Sequence, residues 1–167
     1  LSSLVGSEMC IRDSSRAIET VTQIAAFKDV VGLFFGAADA SASLGCKLAW
    51  EPLLYARHRV VLAASMFNLF TIDAPYFYID KMAGLKEEAE AVKNLGFTGK
   101  AAIHPDQIDY INEAFSPSAE EKAEAKKVLE EYQKSGGGAI KVDGQMIDEP
   151  IAEAMRLKIT LGEEEKK

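Results

Sequence analysis

Two hydrophobic rhythms alternate along this chain, one helical and one extended. Ala17, Val21, Ile24 and Ala25 recur at helical spacing. Val30-Val31-Gly32-Leu33-Phe34-Phe35 is then an unbroken apolar run. Being short, β-branched and aromatic, it predicts a strand buried on both faces. The run stops at Gly36, and the small residues of 37–45 predict a loop. Residues 51–67 predict a long helix with Pro52 in its first turn, where no amide donor is needed. Residues 69–72 predict a second buried strand that ends in Asp73-Ala74-Pro75. An amphipathic helix is expected over 81–95, stopped by Gly96. A third strand is expected over 99–103, ending at His104-Pro105. Helices follow over 106–115 and 118–135, the second opening on the capping-box pattern Ser118-Ala119-Glu120-Glu121.

Gly136-Gly137-Gly138 breaks this order. Beyond it the pattern predicts an extended piece over 139–142, a turn at Asp143-Gly144 and a last helix over 150–161. Strands alternating with helices predict βα units and a parallel sheet. Three such strands cannot close a barrel, but they fit the end of one, since eight βα units take roughly 250 residues. Residues 1–14, LSSLVGSEMCIRDS, follow neither rhythm and resemble translated sequencing adapter. They are expected to be an artefact or a disordered leader and are set aside. Residues 15–135 are then the barrel portion and 136–167 a C-terminal extension.

Composition narrows the function classes. Of 167 residues, 48% are hydrophobic, enough to build a core. No apolar run reaches the roughly 18 residues of a spanning helix, and no tract resembles a signal peptide. A cytoplasmic protein without a membrane partner is expected. The formal net charge of -7 argues against a nucleic-acid partner held by a general positive field. Cys10 and Cys46 are too few for a disulfide framework.

Parallel α/β folds bind ligands at the C-terminal ends of their strands. Those ends carry Gly36-Ala37-Ala38-Asp39, Asp73-Ala74-Pro75-Tyr76 and Ile103-His104-Pro105-Asp106. Carboxylates there suit a hard cation such as Mg²⁺. No Cys/His spacing suggests zinc and no phosphate loop is present. Each residue has a plain alternative: Asp39 caps a turn, Asp73 caps the next segment, and His104 packs under its loop. Arg57 and His58 are expected to be solvated or ion-paired on their helix. Asp148 reads as the N-cap of the last helix.

Several segments resemble one family. FFGAADASASLG (34–45) and LLYARHRVVLAA (53–64) are similar to a strand-loop-helix motif of the HpcH/HpaI aldolase and citrate lyase superfamily. GFTGKAAIHPDQIDYINEAFSPSAEE (96–121) and DGQMIDEP (143–150) resemble its citrate lyase beta-subunit-like branch, with the malyl-CoA and citramalyl-CoA lyases. The resemblance implies an α/β fold: the C-terminal part of a (β/α)8 TIM barrel plus a helical extension. It implies a Mg²⁺-dependent cleavage of a 3-hydroxyacyl-CoA into an acyl-CoA and a 2-oxo acid. Asp39 would be one metal carboxylate. The second, at the end of the preceding strand, would fall near Asp13, where the family's glutamate is absent, and the family's early arginine is missing too. Asp148 would be the acid/base, acting in a neighbouring subunit of a homo-oligomer, a trimer or hexamer. Gly36, Ala37, Asp73, Pro75, Ile103, His104 and Pro105 would line the substrate and CoA channel. The alternatives are a class II pyruvate-type aldolase, a citrate lyase beta subunit working within a complex, and an inactive fragment.

Overall fold

A computed structural model describes residues 15–164. Two compact units divide it, the first ending at Phe115 and the second beginning at Ser116. The expected leader lies outside the described residues.

The first unit follows the βα order. Short helices α1 (Ser15–Glu19) and α2 (Val21–Ala25) lead into β1 (Gly32–Phe34). Then come α3 (Ala37–Leu44), α4 (Trp50–Met66), β2 (Phe70–Asp73), α5 (Met82–Leu95) and β3 (Gly99–Lys100). A 3-10 turn (Pro105–Gln107) and α6 (Ile108–Phe115) close the unit. The strands form one parallel sheet in the order β1-β2-β3, with Leu33 beside Thr71 and Ile72 beside Gly99.

Two expectations change here. Ala37–Leu44, expected as part of a loop, is a helix. Alanine and serine serve a helix well when tertiary packing supports it, and Ala37, Ala40 and Ser41 are buried against the unit. Gly45 ends the helix in a left-handed conformation (φ 65). The first strand is also not buried on both faces. Leu33 and Phe35 sit in the core with Leu53, Ala56, Val60 and Val92, whereas Phe34 is 39% and Phe70 50% exposed. Within the first unit, Phe34 and Phe70 thus stand on the more exposed face of the sheet.

The third strand is shorter than expected and ends at Lys100, whereas two helix boundaries hold. Pro52 lies in the first turn of α4, and Gly96 caps α5 with φ 101.

The second unit holds α7 (Ala119–Lys134), a hairpin of β4 (Ile140–Val142) and β5 (Gln145–Ile147), and α8 (Glu149–Glu164). The capping box forms in full: Glu121 N donates to Ser118 Oγ at 3.1 Å and Ser118 N donates to Glu121 Oε2 at 2.9 Å. Asp143 and Gly144 both take positive φ (47 and 89), the geometry a two-residue hairpin turn requires. The second hairpin strand was not expected, because three residues with Met146 exposed carry too little pattern to read. The boundary between units also falls before α7, not after residue 135. Val128, Leu129 and Tyr132 of α7 share a core with Val142, Ile147 and Ala152, so the helix belongs with the hairpin.

Candidate functional site at the strand ends

The C-terminal ends of β1 and β2 open onto a cleft of about 260 Å³. Ala37, Leu48, Ala49 and Trp50 line one side; Pro75, Tyr76, Phe77 and Tyr78 line the other. Arg57 and Glu88 are the charged side chains on its wall.

Beneath the cleft lies a buried charge network. The Asp73 carboxylate is fully buried (0% exposed). Arg57 Nε donates to its Oδ1 at 2.9 Å and Lys100 Nζ to its Oδ2 at 2.8 Å. Lys100 Nζ also donates to Ala74 O at 2.7 Å and to Glu88 Oε1 at 2.7 Å. Two cations thus meet two carboxylates, as burial of charge demands. The guanidinium of Arg57 lies over the Trp50 ring (4.6 Å to the centroid) and the Phe35 ring (5.3 Å). Burial, followed by the nearby Glu88 carboxylate, raises the Tyr76 phenol above its ordinary value.

This network corrects one expectation. Asp73 does not line a channel, because both of its oxygens are taken by buried cations. Side chains alternate along a strand, and Thr71 and Asp73 of β2 both fall on the buried side. Arg57 is ion-paired in the core and not at the surface. Lys100 and Glu88 were not singled out by sequence reasoning. A lysine ending one strand beside an aspartate ending its neighbour was the available signal.

The other expected residues sit as follows. Asp39 is exposed in the first turn of α3, immediately beyond β1. Ala37 is buried on the cleft wall, with Gly36 as the N-cap of α3. Pro75 lines the cleft. Ile103 is 49% exposed, and its N–H donates to Gln107 Oε1 at 2.9 Å. His104 caps the 3-10 turn, its Nδ1 accepting from Asp106 N at 3.3 Å, and Pro105 begins that turn. Ile103, His104 and Pro105 are not on the cleft wall. Gln107, also not foreseen, is fully buried; its Nε2 donates to Tyr76 O at 2.9 Å and ties the loop after β3 to the loop after β2. Asp148 lies in the second unit, where Oδ1 accepts from Ile151 N at 3.4 Å. That contact is the N-cap role.

The first unit is therefore a parallel α/β segment with its polar groups gathered at the strand ends. Its sequence profile identifies it further: residues 9–105 match the HpcH/HpaI aldolase/citrate lyase family, and the chain belongs to that family. The mitochondrial citramalyl-CoA lyase of Homo sapiens is 38% identical over 144 residues, covering 83% of this chain and 42% of that protein. The citrate lyase subunit beta of Haemophilus influenzae is 32% identical over 151 residues, covering 87% and 52%. The crystal structure of CitE from Mycobacterium tuberculosis with magnesium, acetoacetate and coenzyme A superposes with a TM-score of 0.81 at 32% identity, covering 90% of this chain and 58% of that one. The chain thus spans about half the length of the relatives it matches. The expected fold, the C-terminal part of a TIM barrel with a helical extension, agrees with these neighbours. No described helix is long and apolar enough to cross a membrane.

Proposed function

We propose that the protein of which this chain forms part is a Mg²⁺-dependent carbon–carbon lyase acting on a 3-hydroxyacyl-CoA of the malyl-CoA or citramalyl-CoA type. The observation that carries this reading is Asp39: an exposed carboxylate in the first turn beyond a parallel strand, in a chain whose relatives include a citramalyl-CoA lyase and a citrate lyase subunit beta. Among the described residues no group of three potential ligands could hold a metal ion. A single free carboxylate still fits Mg²⁺, which takes one or two carboxylates and completes its shell with water and substrate oxygens. When bound, the ion supplies Lewis acidity toward the oxygens of the oxo acid.

The chain's own residues have separate tasks. In cleavage, the substrate hydroxyl releases its proton to solvent as its carbon becomes the carbonyl of the 2-oxo acid. The electron pair of the broken C–C bond passes to the carbon next to the thioester. Asp148, offered by a neighbouring subunit of a homo-oligomer (a trimer or hexamer), gives that carbon a proton, and in the reverse direction removes it. Gly36, Ala37 and Pro75 border the substrate, and Ile103, His104 and Pro105 the CoA chain. The polar groups of Asp73, Lys100 and Arg57 hold the ends of β2 and β3 in place beneath them. A cytoplasmic location follows from the same reading.

The test is an assay of the full-length protein with malyl-CoA and citramalyl-CoA, with Mg²⁺ and with EDTA. Metal-dependent release of glyoxylate or pyruvate is expected. Cleavage of free 4-hydroxy-2-oxo acids without action on the CoA esters would move the protein to the aldolase side of the family. The citrate lyase beta subunits among the relatives favour a second reading, a subunit working within a complex. It predicts activity only with its partner subunits added.

A further inference from the structure

Just past the end of β2, Ala101 N still donates to Asp73 O at 2.9 Å. Beyond that bond the two chains run on to Tyr76 on one side and Ile103 on the other. The Gln107 side chain rejoins them. Its Oε1 accepts from Ile103 N at 2.9 Å, and its Nε2 donates to Tyr76 O at 2.9 Å. Ile103 offers a donor and Tyr76 an acceptor, so one orientation of the amide serves both. The amide thereby supplies the donor and acceptor that a peptide unit would bring to a further rung of the sheet. Gln107 is fully buried (0% exposed), and a hydrogen bond shielded from water holds its geometry more firmly.

Tyr76 is also where the aromatic wall of the cleft begins, continuing through Phe77 and Tyr78. Its ring is seated at the far end as well. A Cβ at Gly84, in the first turn of α5, would overlap the Tyr76 hydroxyl and stand 3.1 Å from the ring carbon that bears it. Glycine is less favourable than alanine inside a helix, and here the missing side chain is what admits the ring. Tyr78 packs edge-on against Tyr76, with ring centroids 5.6 Å apart. Lys81 Nζ lies 5.0 Å from the Tyr78 centroid. Displacing Tyr76 therefore displaces the wall.

We infer that Gln107 and Gly84 are positioning residues: between them they fix the Tyr76–Tyr78 wall of the cleft, one at the backbone and one at the ring, and through that wall they set the affinity for substrate. Neither touches the reacting atoms. The effect on affinity rests on the lyase reading; the placement of the wall does not.

The test has two readouts on the full-length protein. The first is steady-state kinetics with malyl-CoA and citramalyl-CoA. Gln107→Met keeps the length of the side chain and removes both hydrogen bonds. It should raise KM about fivefold or more with kcat changed less than about twofold, because a loosened wall weakens the ground state and the transition state alike. Gly84→Ala should raise KM as well, in a helix that alanine favours. Adding Tyr76→Phe, which removes the overlapping hydroxyl, should bring KM most of the way back. The second readout needs no turnover: the Tyr76 phenol is titrated by NMR of ring-labelled tyrosine, with Tyr76→Phe assigning its signal. Burial, and after it the Glu88 carboxylate, holds this phenol above 10.0 in the native chain, and in Gln107→Met it should fall toward 10.0. A Gln107 that only stabilises the fold would lower the melting temperature and move neither KM nor the phenol. If Gln107→Met fails to fold, Gly84→Ala and its double variant decide. KM unchanged in the folded variants, a loss confined to kcat, or a Tyr76 phenol that stays where it was would each overturn the assignment. No cleavage of either ester by the unsubstituted protein would sink the lyase reading alone, and the titration would then decide on the placement of the wall.

Discussion

Replacing Asp73 by asparagine keeps the volume of the side chain and removes its charge. In the native unit this carboxylate is fully buried and is shared by two cations, Arg57 at 2.9 Å and Lys100 at 2.8 Å. The substitution leaves both cations in the interior, with Glu88 still beside Lys100. Breaking a buried pair in this way costs about 3–5 kcal/mol. For a chain of this size that is a fall in melting temperature of roughly 6 to 20 °C. Glu88 offers the internal control. Its side chain is 26% exposed, so Glu88→Gln belongs with partly solvated pairs and should cost up to about 1 kcal/mol. Lys100→Met should fall between, at about 1–3 kcal/mol, because Asp73 keeps Arg57 while Ala74 O loses a donor. The assay is urea unfolding followed by the fluorescence of Trp50, which lies in the first unit and so reports that unit alone. An Asp73→Asn midpoint close to that of the native chain, or a larger loss from Glu88→Gln, would refute the claim that Asp73 is the shared centre of the network.

In the full-length protein, Asp39→Ala should abolish Mg²⁺-dependent turnover, and undiminished activity would remove Asp39 from the metal. Asp148→Asn should keep metal binding, read by calorimetry, and lose cleavage; retained turnover would leave Asp148 with its capping role only. Gly96→Ala should destabilise the first unit by about 1–2 kcal/mol, since Gly96 holds φ +101 and a new Cβ would stand 3.1 Å from Val61 Cγ1; the same change at Gly45, where nothing lies within 4 Å, should cost less in thermal melts. In the second unit, the Arg156 hydrogen bond, and after it that of Tyr132, hold the Glu149 carboxyl below its ordinary value of 4.5. A depressed carboxylate contributes stability that is present above the ordinary value and lost as pH falls through the depressed one. The Glu149 carbon resonance should therefore titrate below 4.5, and the stability advantage over Glu149→Gln should disappear in acid; titration at the ordinary value would contradict the contact.

The sequence signals that proved reliable are local ones. Gly96 has to end α5 because a residue there adopts a left-handed backbone that glycine alone takes without strain. Ser118 and Glu121 announce α7 because the capping box is closed within four residues. The order of strands and helices could be read because apolar runs and helical stripes differ in period. At the candidate site, the pattern located Asp39 and the three strand ends, since parallel α/β topology alone brings those ends to one edge.

What the sequence could not settle depended on partners distant along the chain. Whether Asp73 faces a ligand or the core depends on the parity of β2 and on Arg57 and Lys100 arriving from other elements. Whether 37–45 is loop or helix depends on packing against α1 and α4, because its small residues have no amphipathic signature strong enough to decide. The grouping of α7 with the hairpin follows from a shared core that no local pattern records. The chain by itself determined most of the elements, their order and the family, because these follow from backbone propensity, periodicity and contiguous motifs. Only the tertiary structure decided which charges are buried together and which donors, Arg57 Nη1 and Arg59 Nε, are left without a hydrogen-bond partner, because burial and hydrogen-bond satisfaction belong to the packed whole and to no segment of it.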